Sequence, residues 1–296
     1  MDAFKCLFAK KMTWLDRFRR VARGWLRYPA FMRARWSDAR LQAKAHHELA
    51  VCAIFREEGP FLEEWLRFHE GVGVTKFYLY NNFSTDSFSE VLAPFVARGV
   101  VELTDWPFST GQLAAYQDCL RRHSQDARWI AFFDIDEFLF SPASRDIRLV
   151  LREFADLPGV VVYAAFFGSS GHTRRPQRPL IESFTRRALL SHCSGKSIVN
   201  PRHVYKVGVH TFKYLHRDAL DTARRVCTPE SIPVWDRLRI NHYWSRSLED
   251  LEAKVARGDA STPTPRDSTW HHAYEAGLNV EEDRAILEVP KPSSER

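Results

Sequence analysis

The chain has 296 residues, 45% of them hydrophobic and 27% charged, which suffices for one large α/β domain or two small ones and argues against general disorder. No run of about 18 apolar residues occurs, so no membrane-spanning helix is expected, and the N-terminus lacks the apolar stretch and cleavage site of a secretory signal. The formal net charge of +6 is unevenly spread: residues 1–44 hold twelve Lys and Arg against three Asp, a net of +9, and the remainder carries −3.

Within that basic segment Phe4, Leu7, Phe8, Met12, Leu15, Phe18, Val21, Trp25 and Leu26 recur at helical spacing among lysines and arginines. Residues 1–46 therefore read as a basic amphipathic N-terminal extension. It is suited to an anionic membrane surface through residues 1–44 or to packing on the protein body, and no nucleic acid is expected. From residue 47 to 290 a single domain is expected, followed by a flexible tail, 291–296. Leu49–Phe55 reads as a first strand, and Gly59 and Pro60 open a helix with Phe61, Leu62, Trp65, Leu66 and His69 on one stripe. Lys76–Tyr80 is a second strand, and 81–86 is a polar loop with Thr85 or Asp86 capping a helix that runs to Arg98 and stops at Gly99. Val100–Thr104, a helix over Gln112–His123 and a strand over Arg128–Phe133 continue the rhythm of βαβ units.

The second half is less regular. A helix over Ile147–Phe154 and a buried strand over Gly159–Phe167 lead to a polar loop, 168–176. Strands over Leu180–Arg186, His203–Val209 and Arg237–Tyr243 are expected to extend the sheet. Ser247–Arg257 reads as a helix with Ser247 and Asp250 in a capping box, and 258–269 as a lid or linker. The cysteines are five, scattered and without Cys-x-x-Cys spacing, which suggests reduced thiols in a cytoplasmic protein, peripheral on the inner membrane face if the basic segment binds lipid.

The most informative stretch is Trp129 to Phe138, an apolar run that ends in Asp134 and Asp136. Ligands of open α/β sheets bind at the carboxyl ends of buried strands, and acids there are costly unless paired or metal-bound. If the extended backbone persists, residues two apart point the same way, so both carboxylates would face one hard cation while Ile135 points into protein. A solvated turn at the strand end is the competing account.

In order along the chain, several landmarks resemble glycosyltransferase family 92. They are Phe55-Arg56-Glu57-Glu58, Glu64-Trp65-Leu66-Arg67-Phe68-His69, Phe77 to Asp86, Asp134 to Phe138, Phe167 to His172, Lys196 to Val199, Val209-His210 and Ile240 to Ser245. Two departures stand out: the family more often has Asn in place of Glu57 and Asp in place of Asn81. The resemblance implies an α/β fold of the GT-A, Rossmann-like type, with a mostly parallel central sheet flanked by helices. It also implies a nucleotide-sugar donor such as a UDP-sugar, a glycan or glycolipid acceptor, and transfer of galactose with inversion. On that reading Arg56, Asn82, Asp86, Asp134 and Lys196 are candidates for donor contact. Asp134, Asp136 and His242 are candidates for Mn²⁺ or Mg²⁺, with His210 as an alternative ligand. Glu137 would orient the aspartates. Glu182 and His172 are candidates for the base that deprotonates the acceptor, and Trp106 and Trp244 for stacking on sugar rings. Rival readings are a non-catalytic nucleotide-sugar or glycan-binding protein, and a nucleotidyltransferase. The latter calls for a Gly-rich phosphate loop, which Arg56-Glu57-Glu58-Gly59 does not supply.

Overall fold

The structure is a computed structural model, and it describes residues 45–109, 111–189, 194–228, 230–258 and 267–289. The basic extension over 1–44, most of the 258–269 segment and the 291–296 tail lie outside the described residues.

The first half follows the apolar patterning closely. Strands β1 (His47–Phe55), β2 (Lys76–Asn81), β3 (Val101–Asp105) and β4 (Ala127–Phe132) alternate with helices α1 (Gly59–Gly71), α2 (Phe88–Ala97) and α3 (Gln112–His123). These strands lie side by side in the order β3-β2-β1-β4, all parallel. Buried on both faces, β1 and β4 appear as near-continuous apolar runs, as parallel strands covered by helices do. All five stripe residues of α1 are buried, and Leu62, Trp65 and Leu66 are wholly so. Each of those three contributes roughly 1.5–3 kcal/mol relative to exposure. Gly99 ends α2 with φ of 73°, a left-handed conformation that glycine adopts without penalty.

His69 joins this core through its ring. Nδ1 lies 2.8 Å from the Trp65 carbonyl, which only a protonated nitrogen can bond, and Nε2 accepts the Leu139 N–H at 3.0 Å. The ring is thus held as one neutral tautomer, and burial depresses its pKa to about 3.

Beyond β4 the sheet becomes mixed. Strand β5 (Glu137–Phe140) leaves the aspartate turn, α4 (Ile147–Arg152) follows, and β6 (Gly159–Phe167) forms the long buried strand. A short helix α5 (Leu180–Ser183) and the two-residue strand β7 (Arg186–Arg187) stand where one strand over Leu180–Arg186 was expected. Leu180 and Ile181 donate their N–H groups to the Glu64 carboxylate, which binds that turn to α1 and favours helical backbone over a strand. Strand β8 (Gly195–Val199), which sequence reasoning missed, lies antiparallel between β4 and β6 in the middle of the sheet. Its Gly195 is required by close approach, since a Cβ there would fall 2.3 Å from the Val162 carbonyl oxygen.

The expected strand over His203–Val209 is shorter, β9 (Val204–Lys206), preceded by a 3-10 turn, Pro201–His203, and among the described residues it pairs with β10 (Lys213–Tyr214) outside the main sheet rather than extending that sheet. Pro201, with no N–H, cannot carry a ladder inward. Strand β11 (Leu220–Asp221) runs beside β6, and β12 (Arg239–Tyr243) is parallel to β6 and antiparallel to β5. Helix α6 (Leu248–Arg257) opens with the expected Ser247 and Asp250 capping box. Helix α7 (Ser268–Ala276), β13 (Glu281–Glu282) and a 3-10 turn, Ala285–Glu288, close the described chain. The α/β class with a parallel central group of strands, flanked by helices, is therefore as expected.

Candidate active site

Parallel pairing brings the carboxyl ends of β1, β2 and β4 to one edge, and two loops there are bound to each other. The Asn82 N–H bonds the Phe55 carbonyl at 2.8 Å, the Glu57 N–H bonds Ser84 Oγ at 3.0 Å, and the Thr85 N–H bonds Glu57 Oε1 at 2.8 Å. Asp86 accepts the Gly59 N–H at 2.7 Å and the Phe88 N–H at 3.2 Å, so one carboxylate serves the amino ends of both α1 and α2. Asn82 is buried and donates to the carbonyls of Trp106 and Phe108. Of the three residues assigned to donor contact on these loops, Asn82 and Asp86 thus brace the loops, while Arg56 is exposed, 5.9 Å over the Phe83 ring. Glu57 and Phe83 hold positive φ, 53° and 60°. Asn tolerates that region better than Glu, which gives a physical reason for the Asn that the resemblance associates with the position of Glu57.

The aspartate pair sits one strand further along. Residues 135 and 136 form a turn instead of continuing β4, so strand alternation does not aim the two carboxylates, and each takes its own lysine partner. Asp134 Oδ2 accepts from Lys196 Nζ at 2.6 Å and its Oδ1 from Gln112 at 3.1 Å. Asp136 Oδ2 accepts from Lys254 Nζ at 2.6 Å and lies 3.4 Å from His242 Nε2. Ile135 is buried between them, as expected.

Glu137 stands behind both. It accepts the Asp134 N–H at 2.9 Å, approaches Lys196 at 3.2 Å and faces His242 Nδ1 at 3.3 Å. Burial alone would raise the Asp136 carboxyl, but Lys254 and His242 outweigh it and hold it well below the usual carboxylate range. The opposite balance holds at Glu137, where burial wins over Lys196 and His242 and the pKa is raised. Lys196 is buried, not exposed; burial would lower its pKa, yet Asp134 and Glu137 together raise it well above the ordinary value.

A second layer of charge closes the Asp136 side. Glu58 bonds Arg246 at 2.6 Å and also Arg257, and Arg175 bonds Asp250 at 2.6 Å. A narrow cleft of about 30 Å³ runs between these groups, lined by Asp136, Lys254, Arg175, Arg246, Arg257 and Trp244 among others. Lys254 Nζ also donates to the Trp244 carbonyl at 2.9 Å and lies 5.3 Å from the indole centroid. Trp244 stacks on His271, while Trp106 donates to the Gly111 carbonyl and meets Tyr80 and Phe108 edge-on.

Sequence reasoning missed Lys254, Arg175, Arg246 and Arg257. A signal existed in α6: Asp250, Lys254 and Arg257 fall at helical spacing on one face, with Leu251 beside them, a polar stripe next to an apolar residue.

Glu182 and His172 are brought together, but not with the aspartates. Both line a cleft of about 280 Å³ with Arg178 and Arg186. His172 Nε2 bonds the Ser183 carbonyl at 3.2 Å, and Glu182 is exposed. His210 is half-buried, and its pKa is lowered to about 4 by desolvation and by Lys196. Among the described residues no group of three or more His, Cys, Asp and Glu side chains is gathered to hold a metal ion, and no helix is long and apolar enough to cross a membrane. Cys52 and Cys119 are buried thiols, and the half-buried Cys227 sulfur lies 3.3 Å from the Tyr163 hydroxyl.

The sequence pattern of glycosyltransferase family 92 matches residues 47–271. A family 92 protein of Oryza sativa subsp. japonica is 35% identical over 159 residues, 52% of this chain and 27% of that protein. One of Ricinus communis is 27% identical over 222 residues, 73% of this chain and 39% of that one. Galactan beta-1,4-galactosyltransferase GALS2 of Arabidopsis thaliana is 25% identical over 52% of this chain and 33% of its own length. The chain thus matches less than two fifths of each of these relatives. Among solved structures, S. aureus TarS 1–349 in complex with UDP shares 11% identity at a TM-score of 0.37, over 52% of this chain and 47% of that one, a likeness too slight to bear on function. With three quarters of its length inside the family pattern, and the aspartate turn and its partners at the strand ends, the chain belongs to glycosyltransferase family 92.

Proposed function

We propose that this protein transfers a hexose from a UDP-sugar to a hydroxyl of a glycan or glycolipid acceptor, with galactose and inversion as the specific form. The observation that carries the reading is the convergence, at the carboxyl ends of β1, β2, β4 and β12, of Asp134, Asp136 and His242 with Lys196, Lys254, Arg175 and Arg246. The family membership and the galactosyltransferase names of several relatives support it.

Mn²⁺ is the proposed cofactor, and the residues present suit it in part. Asp136 and His242 converge, the Lys254 ammonium on Asp136 Oδ2 already marks that atom as a seat for positive charge, and Glu137 fixes the far side of the imidazole. Small divalent ions of this kind need only one or two protein carboxylates, because water and substrate phosphate complete the shell, and imidazole favours Mn²⁺ over Mg²⁺. The chemistry such an ion supplies is neutralisation of the departing diphosphate. Asp134, tied to Lys196 and Gln112, would face the donor from the other side of the turn.

The protein's own groups do the remainder. The paired loops over 55–59 and 81–86 form a rigid frame for the nucleoside, and Arg56 has a side chain free to reach the donor. The acceptor must lose a proton as the donor carbon gains positive character. His172 and Glu182, on the segment leaving β6, are proposed for that step. In a neutral His172 ring, the bond from Nε2 to the Ser183 carbonyl leaves Nδ1 as the basic atom. Residues 1–44 are proposed to rest on anionic lipid at the cytoplasmic face.

Incubation with UDP-, GDP- and CMP-sugars, with and without Mn²⁺, tests the reading by calorimetry and product detection. Binding and slow hydrolysis of a UDP-hexose support it. Binding of a donor without turnover, even with glycan acceptors present, would instead favour a non-catalytic binding protein.

A further inference from the structure

We propose that Lys254 is a tethered cation of the donor site, which holds Asp136 in the free protein and passes to the donor diphosphate when nucleotide and Mn²⁺ arrive. The inference rests on the donor reading above. Its first support is position: Nζ lies 2.6 Å from Asp136 Oδ2, the same atom that His242 Nε2 approaches at 3.4 Å. A divalent ion bound by Asp136 and His242 at that oxygen would sit within a few ångströms of the Lys254 ammonium, and repulsion between the two cations favours departure of the flexible one.

The second support is space. The cleft beside Asp136 measures about 30 Å³, room for about one water and far too little for a diphosphate. Entry of phosphate therefore requires a side chain to move, and Lys254 is the one whose flexible stem and compact charge suit such a move. Arg246 and Arg257 are held by Glu58 and Arg175 by Asp250, acids that the cation site does not use, whereas Lys254 is held by Asp136 itself and by the Trp244 carbonyl. Once displaced, the Lys254 ammonium remains anchored on α6 beside the cation site, where the charge of a leaving diphosphate would develop.

Exchange of this kind moves two affinities in opposite directions, which a merely structural lysine would not do. Lys254→Met removes the competitor for Asp136, so Mn²⁺ alone, titrated without nucleotide by electron paramagnetic resonance, should bind about tenfold more tightly. It also removes a phosphate partner, so UDP titrated calorimetrically in saturating Mn²⁺ should bind about tenfold more weakly. Lys254→Gln should repeat both shifts with a polar side chain, and Lys254→Arg should keep UDP affinity within about threefold of the parent. Affinities that fall together, or that do not move, overturn the proposal while leaving the donor reading intact. Failure of the unaltered protein to bind UDP at any Mn²⁺ concentration overturns both.

Discussion

The two halves of the molecule bring different things to the site. Residues 47–140 contribute acids: Glu58, Asp134, Asp136 and Glu137. The stretch after residue 159 contributes the bases that meet them: Lys196, His242, Arg246, Lys254 and Arg257. The first half is regular, with parallel strands and braced loops. The second is irregular, yet its short elements set the cations against the acids across one seam. Each ion pair on that seam joins residues at least 59 positions apart. The site therefore forms only when both halves have folded, and its charge balance is a property of the seam.

If the seam carries that much, an acid that pairs with a buried guanidinium should be the most costly to remove. Glu58→Ala leaves the guanidinium of Arg246, itself only 6% exposed, without its carboxylate partner. A loss of about 3–5 kcal/mol in urea unfolding is expected, the usual cost of an unpaired buried charge. A loss below about 1 kcal/mol would show that the pair behaves as a surface contact.

Asp136→Asn sharpens the comparison on function. It keeps the shape of the turn and should lower transfer by about 100-fold while leaving the melting temperature within a few degrees. Undiminished transfer would remove Asp136 from the donor site.

Acid stability separates the core of the first half from the seam. The folded pKa of His69 is depressed to about 3, below its ordinary value of 6.5. The unfolded chain therefore takes up a proton there before the native state does. Stability from this group is complete above pH 6.5 and falls as pH drops toward 3, with a slope of about 1.4 kcal/mol per pH unit. His69→Gln should flatten that slope when urea unfolding is compared at pH 7 and pH 5; an unchanged slope would mean that His69 can be protonated in the fold.

The smallest effect is expected far from the seam. Nothing lies within 4 Å of a Cβ placed on Gly99, so Gly99→Ala should cost only the strain of positive φ, about 1 kcal/mol, with no change in transfer. A larger loss would point to a contact for the substituted methyl.

Much of the first half was legible because its signals are local. The boundaries of α3, the stripe of α1 and the stop at Gly99 follow from periodicity and turn chemistry within a few residues, and in the second half so do the boundaries of β6. The capping box of α6 was legible for the same reason. Strand β8 was not, since Gly195-Lys196-Ser197-Ile198-Val199 contains a lysine and a serine that look solvent-facing until Asp134, Glu137 and the His210 carbonyl are placed beside them. The 180–186 segment failed likewise, because its helix depends on Glu64 from α1.

By itself the sequence determined where apolar runs become strands and stripes become helices, that acids end β4, and to which family these landmarks are similar. Tertiary structure alone decided what those acids face. The turn at Asp136 sends one carboxylate toward β8 and the other toward α6. Which lysine waits there depends on strand order and helix docking, which pair residues 62 and 118 positions apart and leave no periodic trace in the chain.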